Sequence, residues 1–258
     1  MRRRLPPEPV SNAALWSRRV AYFAATVAVL AVALARAKAL APAAALATLG
    51  AAVALALAAL LLFSAACVAI WRVGARGIGD AAAGFMVAAL TLAYPGYLAF
   101  EALRLPELAD ISTDIEDPPD FSHSRAALVT RREAAHVSLP ASARAAQRAA
   151  YPTVEPIIVD LDLDEALALV LKTAAARGWR IVDQRPASAR SGDAHVDFTV
   201  KTRLLAYDED VTARLRPMAG QTRIDLRAAS RFGRHDFGTN AERITAFAEE
   251  LQTQLDAR

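Results

Sequence analysis

The sequence predicts a membrane-anchored protein of the α+β class: three N-terminal transmembrane helices, then a soluble domain with an antiparallel sheet and two covering helices. Three observations lead to this class. Long apolar stretches without charges dominate residues 1–104. Three later stretches alternate apolar and polar side chains with a period of two, as strands do. Two stretches near them have the apolar spacing of helices. The soluble elements are therefore expected in the order β-α-β-β-β-β-α.

Charge divides the chain into two unlike parts. Residues 1–104 hold ten Lys and Arg against three acids, a net of +7, whereas residues 105–258 hold twenty against twenty-four, a net of −4. The basic isoelectric point of about 9.3 thus comes from membrane flanks, and no nucleic-acid partner is expected. With a single cysteine, Cys67, and four scattered histidines, neither a metal site nor a cofactor is expected.

The membrane anchor is expected to span residues 1–104. Uncharged runs at residues 20–35, 39–70 and 81–100 approach or exceed the roughly 20 residues that cross a bilayer. They predict helices at about 18–37, 43–70 and 81–101, with a lipid bilayer as partner. Pro42 marks the expected start of the second helix, and Asp80 is a candidate cap for the third.

Arginine placement predicts the orientation, because basic residues stay on the cytoplasmic side. Three basic residues flank the far ends of the spans, and seven lie on the N-terminal side: Arg2, Arg3, Arg4, Arg18, Arg19, Arg72 and Arg76. This pattern predicts a multi-pass protein of the bacterial inner (plasma) membrane with a cytoplasmic N-terminus and a periplasmic C-terminal domain. Alternatively, Ala33-Leu34-Ala35 is a cleavage site that ends a signal peptide, which leaves the C-terminal domain outside the cytoplasm as well.

An acidic and then Ala/Arg-rich connector is expected over residues 105–152. Pro118-Pro119 predicts extended backbone within a run of carboxylates formed by Glu107, Asp110, Asp114, Glu116, Asp117 and Asp120. A calcium loop is one interpretation, although the spacing lacks the alternate ligands and glycine of such loops. The other is an acidic strap, either solvated or docked on a surface.

The soluble extracytoplasmic domain is expected at residues 153–258. A strand at 156–160 precedes a helix for which Asp162 is the expected N-cap and Gly178 the expected stop. A strand at 179–183 follows, then three alternating strands, and a final helix at about 240–255. The alternation predicts one buried face and one solvent-exposed face.

The exposed face of this sheet is expected to be basic, because the polar positions of the alternating strands carry Lys201, Arg214, Arg216, Arg223 and Arg227. Three interpretations remain open. The face is solvated with cross-strand pairs to Asp197 and Asp225, or it docks the acidic strap or another protein. It could also bind an anionic ligand such as a lipid headgroup or phosphate.

Residues 227–244, the signature segment, read as a strand end, a polar loop with two glycines and a helix start. Their pattern R-x-x-S-R-x-G-x-x-D-x-G-x-N-x-x-R-I resembles a bacterial and plastid family known as domain of unknown function fourteen ninety-nine, here in a membrane-fused form. The resemblance covers roughly residues 151–255 and implies no reaction. Its candidate ligand-binding or structural residues are Arg227, Ser230, Arg231, Gly233, Asp236, Gly238, Asn240 and Arg243, with Asp210 as a possible partner of Arg231.

Structure and anion binding are the two interpretations of this loop. A helix start with free N–H groups attracts anions. In the structural interpretation Asp236 or Asn240 caps the helix, Gly233 and Gly238 adopt angles closed to other residues, and the arginines pair with carboxylates. Ser230 and His235 also raise the hypothesis of a hydrolase, but no nucleophile-elbow sequence surrounds Ser230.

The function expected from these patterns is binding or assembly in the cell envelope, and the chain is not expected to be an enzyme. The alternative is binding of an anionic or lipidic ligand through the basic face or the signature segment. A hydrolase around Ser230 and His235 ranks third. No residue is assigned a catalytic role.

Overall fold

The computed structural model describes residues 9–131, 141–187 and 192–257. They form two compact units, Met1–Phe100 and Glu101–Arg258, and each is described by itself. Arg2, Arg3 and Arg4, on which part of the orientation argument depends, lie outside the described residues.

Three helices make up the first unit and the start of the second: α1 (Asn12–Arg36), α2 (Pro42–Val73) and α3 (Ile78–Arg104). Each is long and apolar enough to cross a membrane, so the three expected helices are confirmed by length and composition. Ser11 is the N-cap of α1, and α2 begins at Pro42 as predicted. The third helix starts earlier than expected, so Asp80 lies in its first turn and not before it.

Small residues bring these helices close together. The buried positions of α1 and α2 are mainly alanines, and the Ser17 hydroxyl donates to the Ala59 carbonyl at 2.9 Å. A Cβ added at Gly84 of α3 would lie 2.8 Å from the backbone nitrogen of Arg18. Arg18 also pairs with Asp80. Large apolar side chains such as Leu61 and Leu90 instead remain exposed, as suits helices surrounded by lipid.

The second unit is built on one antiparallel sheet. Its strands are β1 (Asp110–Ser112), β2 (Ile157–Val159), β3 (Arg180–Arg185), β4 (Ala194–Lys201), β5 (Asp208–Met218) and β6 (Gln221–Ala229). The order across the sheet is β1-β6-β5-β4-β3, and β2 pairs with the same edge of β6 as β1 does. The helices are α4 (Arg125–Arg131), α5 (Ala141–Ala150), α6 (Leu163–Ala176) and α7 (Thr239–Asp256).

The expected α+β class and the order β-α-β-β-β-β-α from residue 153 onward are confirmed. Asp162 caps α6 by accepting from the backbone N–H of Glu165 at 2.9 Å, and Gly178 follows the helix end with φ of 69°. Met218 pairs with Gln221, so a two-residue turn joins β5 to β6. Both α6 and α7 contribute to the core on the apolar face of the sheet.

The expectation of a solvent-exposed second face is wrong. Along β4, the seven residues from Ala194 to Val200 are all buried, whichever face they point to. The reason is a layer that the sequence predicts as a connector: residues 105–131 and 141–152 lie within the second unit. They supply the edge strand β1, and the Gln147 side chain bonds both the N–H and the carbonyl of Ser112.

Candidate functional site

The polar face of the sheet centres on the carboxylate of Asp225, which is fully buried. Alternation along the strands places three arginines around it. Arg216 and Arg214 lie 2.6 and 3.2 Å from its Oδ2, and Arg223 Nε lies 2.8 Å from its Oδ1. The cross-strand pairing expected for Asp225 is therefore present. Lys201, which was also predicted on this face, is the last residue of β4. It is exposed and pairs across the strands with Asp208 of β5.

The acidic strap, residues 107–120, lies over these same arginines. Asp114 Oδ2 is 2.7 Å from Arg223 Nη2, 2.9 Å from Arg216 Nη2 and 3.6 Å from Arg214 Nη2. Asp117 Oδ2 adds contacts of 3.0 Å to Arg214 and 3.2 Å to Arg216. Three guanidinium groups thus face three carboxylates, and the basic character of this face is locally neutralised.

This arrangement shifts the pKa of Asp114 in the strap. Burial by itself would raise the pKa of Asp114, but the N–H of Asp117 and the guanidinium groups of Arg216 and Arg223 hold that pKa below its ordinary value. The carboxylates of Asp225 and Asp114 raise the pKa of Arg216 despite its burial. Asp114 is consequently ionised in the folded protein at neutral pH.

Arg227 fixes the start and end of the strap. Its side chain is 2% exposed and donates to both carboxylate oxygens of Asp110 at 2.7 to 3.1 Å and to the Pro119 carbonyl at 3.1 Å. Its guanidinium also lies 5.2 Å from the ring centroid of Phe121, within cation–π range. The first residue of the signature segment therefore holds the strap in place.

A second buried ionic group lies further along the same face. Arg131, at the end of α4, pairs with Asp197 of β4, and both side chains are at most 3% exposed. Asp197 also accepts from the backbone N–H of Ser122 at 2.8 Å and contacts His195 Nε2 at 2.9 Å. Although burial would raise the pKa of Asp197, its bonds to His195 and the charge of Arg131 lower it.

The signature segment joins β5 through two ion pairs. Arg231 donates to Asp210 from Nη2 at 2.6 Å and from Nε at 3.0 Å, as the resemblance suggested. Arg243 pairs with Glu209. Ser230 donates from its hydroxyl to Glu209 at 2.9 Å.

The start of α7 is held by Asp236, although neither Asp236 nor Asn240 is the N-cap that the structural interpretation expected. Its carboxylate accepts from the backbone N–H groups of Gly238 at 3.0 Å and Asn240 at 2.8 Å. The N-cap position itself is occupied by Gly238. Burial raises the pKa of Asp236, and these two hydrogen bonds only partly oppose the effect. Gly233 and Gly238 have φ of 85° and 79°, which side chains rarely tolerate.

The residue types of a hydrolase do not come together. Ser230 bonds to Glu209 and accepts from Asn240 Nδ2 at 3.1 Å. His235 instead contacts the Leu105 carbonyl through Nε2 and accepts from the Phe237 N–H at Nδ1. Within the described ranges, no group of three His, Cys, Asp or Glu side chains could hold a metal ion.

Two surface clefts lie on the membrane helices. One, of about 380 Å³, is lined by Cys67, Val68, Trp71 and Arg72. The other, of about 290 Å³, is lined by five residues of α1 between Tyr22 and Leu30. Neither cleft touches the signature segment or the basic face.

Sequence reasoning missed Asp110, Asp114 and Arg131 as individual partners. The opposite charges of the strap and the strands were a usable signal for the first two. Arg131 carried no such signal, because it lies among several arginines of an Ala/Arg-rich stretch.

Three apolar helices followed by a compact α+β unit define a membrane protein with a domain outside the bilayer. Residues 110–251 match the model of a family described as protein of unknown function (DUF1499). Because the match covers more than half of the 258 residues, the chain belongs to this family. No curated protein matches the sequence significantly. The family description indicates no enzymatic activity either way. The match to the family model begins at Asp110, which forms an ion pair with Arg227.

Proposed function

We propose that the chain is a multi-pass protein of the bacterial inner membrane whose α+β unit lies in the periplasm and acts through binding or assembly in the cell envelope. The positive-inside rule supports the orientation. Seven basic residues of the sequence lie on the side of the N-terminus, among them Arg18, Arg19, Arg72 and Arg76, and three lie on the opposite side: Arg36, Lys38 and Arg104.

The strongest support for binding or assembly is that the arginines of the basic face, and Ser230, Arg231 and Arg243 of the signature segment, already face partners within the chain. A catalytic group must reach a proton or an electrophile of its substrate. Here the Ser230 hydroxyl and the Arg231 guanidinium face carboxylates of β5, and the basic face is covered by the strap. The accessible surfaces of the unit are its helices, its edge strands and its loops, and proteins commonly bind one another through such surfaces.

Orientation is tested with two reporters fused after Arg258. An exported alkaline phosphatase is active only outside the cytoplasm, and a green fluorescent protein exported in unfolded form stays dark there. We expect phosphatase activity without fluorescence. Fluorescence without phosphatase activity would place the unit in the cytosol and end the proposal of a periplasmic role.

Partner binding is tested by photocrosslinking in intact cells. A photoreactive amino acid is placed at Ile158 of β2 or at Ile181 of the edge strand β3, which are 54% and 49% exposed. We expect one of the two positions to give a discrete crosslink to an envelope protein and the other to give none, because a specific interface covers only part of a surface. Absence of any protein adduct from either position, or from further positions on α6 and α7, contradicts an assembly role.

Binding of an anion to the basic face is the alternative, favoured by one observation. Three guanidinium groups converge on a single carboxylate oxygen of Asp114, a geometry that phosphate also satisfies. Titration of the full-length protein with inorganic phosphate tests this. If the face binds anions, Asp114→Asn should tighten binding several-fold by weakening the strap, and Arg216→Gln should abolish it. Equal, weak binding by all three proteins excludes this alternative.

A further inference from the structure

One end of the sheet presents an aromatic side chain to solvent. Residues 202–207 connect β4 to β5, and residues 231–238 follow β6, so both loops lie at the same end of the sheet. Phe232 is 51% exposed at the tip of the second loop. Its ring packs edge-on against Tyr207, with 6.2 Å between the ring centroids. The packing positions the Phe232 ring without covering it.

The loop 231–238 is tied to the residues that directly follow α3. His235 Nε2 lies 3.2 Å from the Leu105 carbonyl, and the Asp236 N–H donates to the Leu108 carbonyl at 2.9 Å. A Cβ at Gly238 would lie 2.9 Å from Leu105 Cδ1. Leu105 is the next residue after the end of α3, so these contacts hold the loop at the point where the chain leaves an apolar helix.

Chain geometry then limits how far Phe232 lies from that point. His235 is the third residue after Phe232, and an extended chain covers at most about 3.6 Å per residue. The Phe232 Cα is therefore within about 11 Å of the His235 Cα. The headgroup layer on each side of a bilayer core is roughly 5–8 Å thick. The distance limit on Phe232 is thus of the same order as the thickness of that layer, so an apolar helix that ends at the edge of the layer keeps the loop next to it.

The exposed charged side chains of the two loops are paired, so they are compatible with both neutral and anionic lipid headgroups. Arg234 and Arg203 are 87% and 80% exposed. Arg234 pairs with Glu107 at 3.0 Å, and Arg203 pairs with Glu242 at 2.6 Å. The rim is therefore made of ion pairs with little net charge, while the centre is aromatic. Aromatic side chains favour the interface between lipid and water, and long basic side chains adapt to it.

We propose that the loop 231–238 rests in the lipid headgroup layer with the Phe232 ring inserted, so that the second unit is attached to the bilayer surface as well as through its chain. The occupant of this aromatic surface is the membrane lipid itself. The inference holds for either orientation of the protein, because both sides of a bilayer have such a layer. Its failure is therefore separable from failure of the periplasmic assignment.

Depth-dependent fluorescence quenching tests this in the full-length protein. Cys67→Ala removes the only cysteine, and Phe232→Cys then accepts a polarity-sensitive fluorophore. The matched control is Met218→Cys, because Met218 is 49% exposed and lies at the opposite end of β5. Ten residues separate it from Asp208 at the near end, which amounts to about 33 Å along a strand. Each labelled protein is placed in nanodiscs of phosphatidylcholine carrying a nitroxide at a shallow or a deep position.

We expect quenching at position 232 to exceed that at position 218 several-fold, with the shallow nitroxide more effective than the deep one, and emission at 232 to shift to the blue. Equal quenching at the two positions overturns the proposal. Absence of quenching at 232 also overturns it, because a ring inserted among the lipids would meet the nitroxide. If Phe232→Cys unfolds the unit, Arg234→Cys provides a second position on the same loop, and the same outcomes decide.

Discussion

The ion pair between Arg231 and Asp210 provides the sharpest test of how the signature segment contributes to stability. The two side chains are 7% and 1% exposed and share two hydrogen bonds. Arg131 Nε is 3.9 Å from the same carboxylate, too far to replace both bonds. Substituting one partner leaves the other buried and poorly compensated, which costs about 3–5 kcal/mol.

A double-mutant cycle separates the pair from its surroundings. Arg231→Met and Asp210→Asn should each lower the free energy of unfolding by about 3 kcal/mol or more. The double variant should be much less destabilised than the sum, because it leaves no unpaired charge. We expect a coupling energy of about 2 kcal/mol or more, in the upper part of the range for residues in contact.

Unfolding is followed by the fluorescence of Trp179, which stacks on Phe247 with 4.8 Å between ring centroids. Trp16→Phe and Trp71→Phe leave it as the one tryptophan of the full-length chain. The control is the pair Arg203 and Glu242, which has the same 2.6 Å contact but is 80% and 54% exposed. Its coupling should stay below about 1 kcal/mol. Equal coupling in both pairs, or additive effects at Arg231 and Asp210, would refute the argument from burial.

Three further predictions concern other parts of the chain. Gly84→Ala should destabilise the detergent-solubilised protein by about 1–3 kcal/mol, because the added Cβ would meet Arg18 backbone at 2.8 Å. Gly50→Ala, with nothing within 4 Å, should be tolerated, and equal melting temperatures would contradict the close packing. Asp236→Ala should cost about 1–2 kcal/mol, since two backbone N–H groups at the start of α7 lose their acceptor; an unchanged melting temperature would reject that role. In an acid titration, the folded pKa of Asp114 is lowered, so its stabilisation is complete above the unfolded value of about 3.9 and is lost as the pH falls through the lower folded value. Asp114→Asn should flatten this part of the stability curve, and an identical curve would show that Asp114 contributes nothing. The raised pKa of Asp236 changes stability with pH in the opposite direction, but it is present in the wild-type protein and in Asp114→Asn alike.

The interpretation of the signature segment as structural was accessible from sequence because its signals are local. Gly233 and Gly238 stand where positive φ is needed, and Asp236 lies close enough to the start of α7 to accept from two backbone N–H groups there. The pairing of Arg231 with Asp210 came from the family resemblance, because nothing within either segment specifies it. Its burial required the structure, since α4 contributes the Thr130 carbonyl as a further acceptor at 3.0 Å.

The sequence by itself determined most elements of this protein. Apolar length defined three membrane helices, two-residue alternation defined β4, β5 and β6, and Asp162 and Gly178 marked the start and end of α6. These features depend on residues close together in the chain. Only the tertiary structure decided what covers the polar face of the sheet. Alternation tells which side chains share a face, but it is the same whether that face meets water or a layer of protein. The strap reaches Arg216 from Asp114, 102 residues away. Such a contact is determined by the free energy of burying and pairing charges in the whole domain, and no local pattern encodes it.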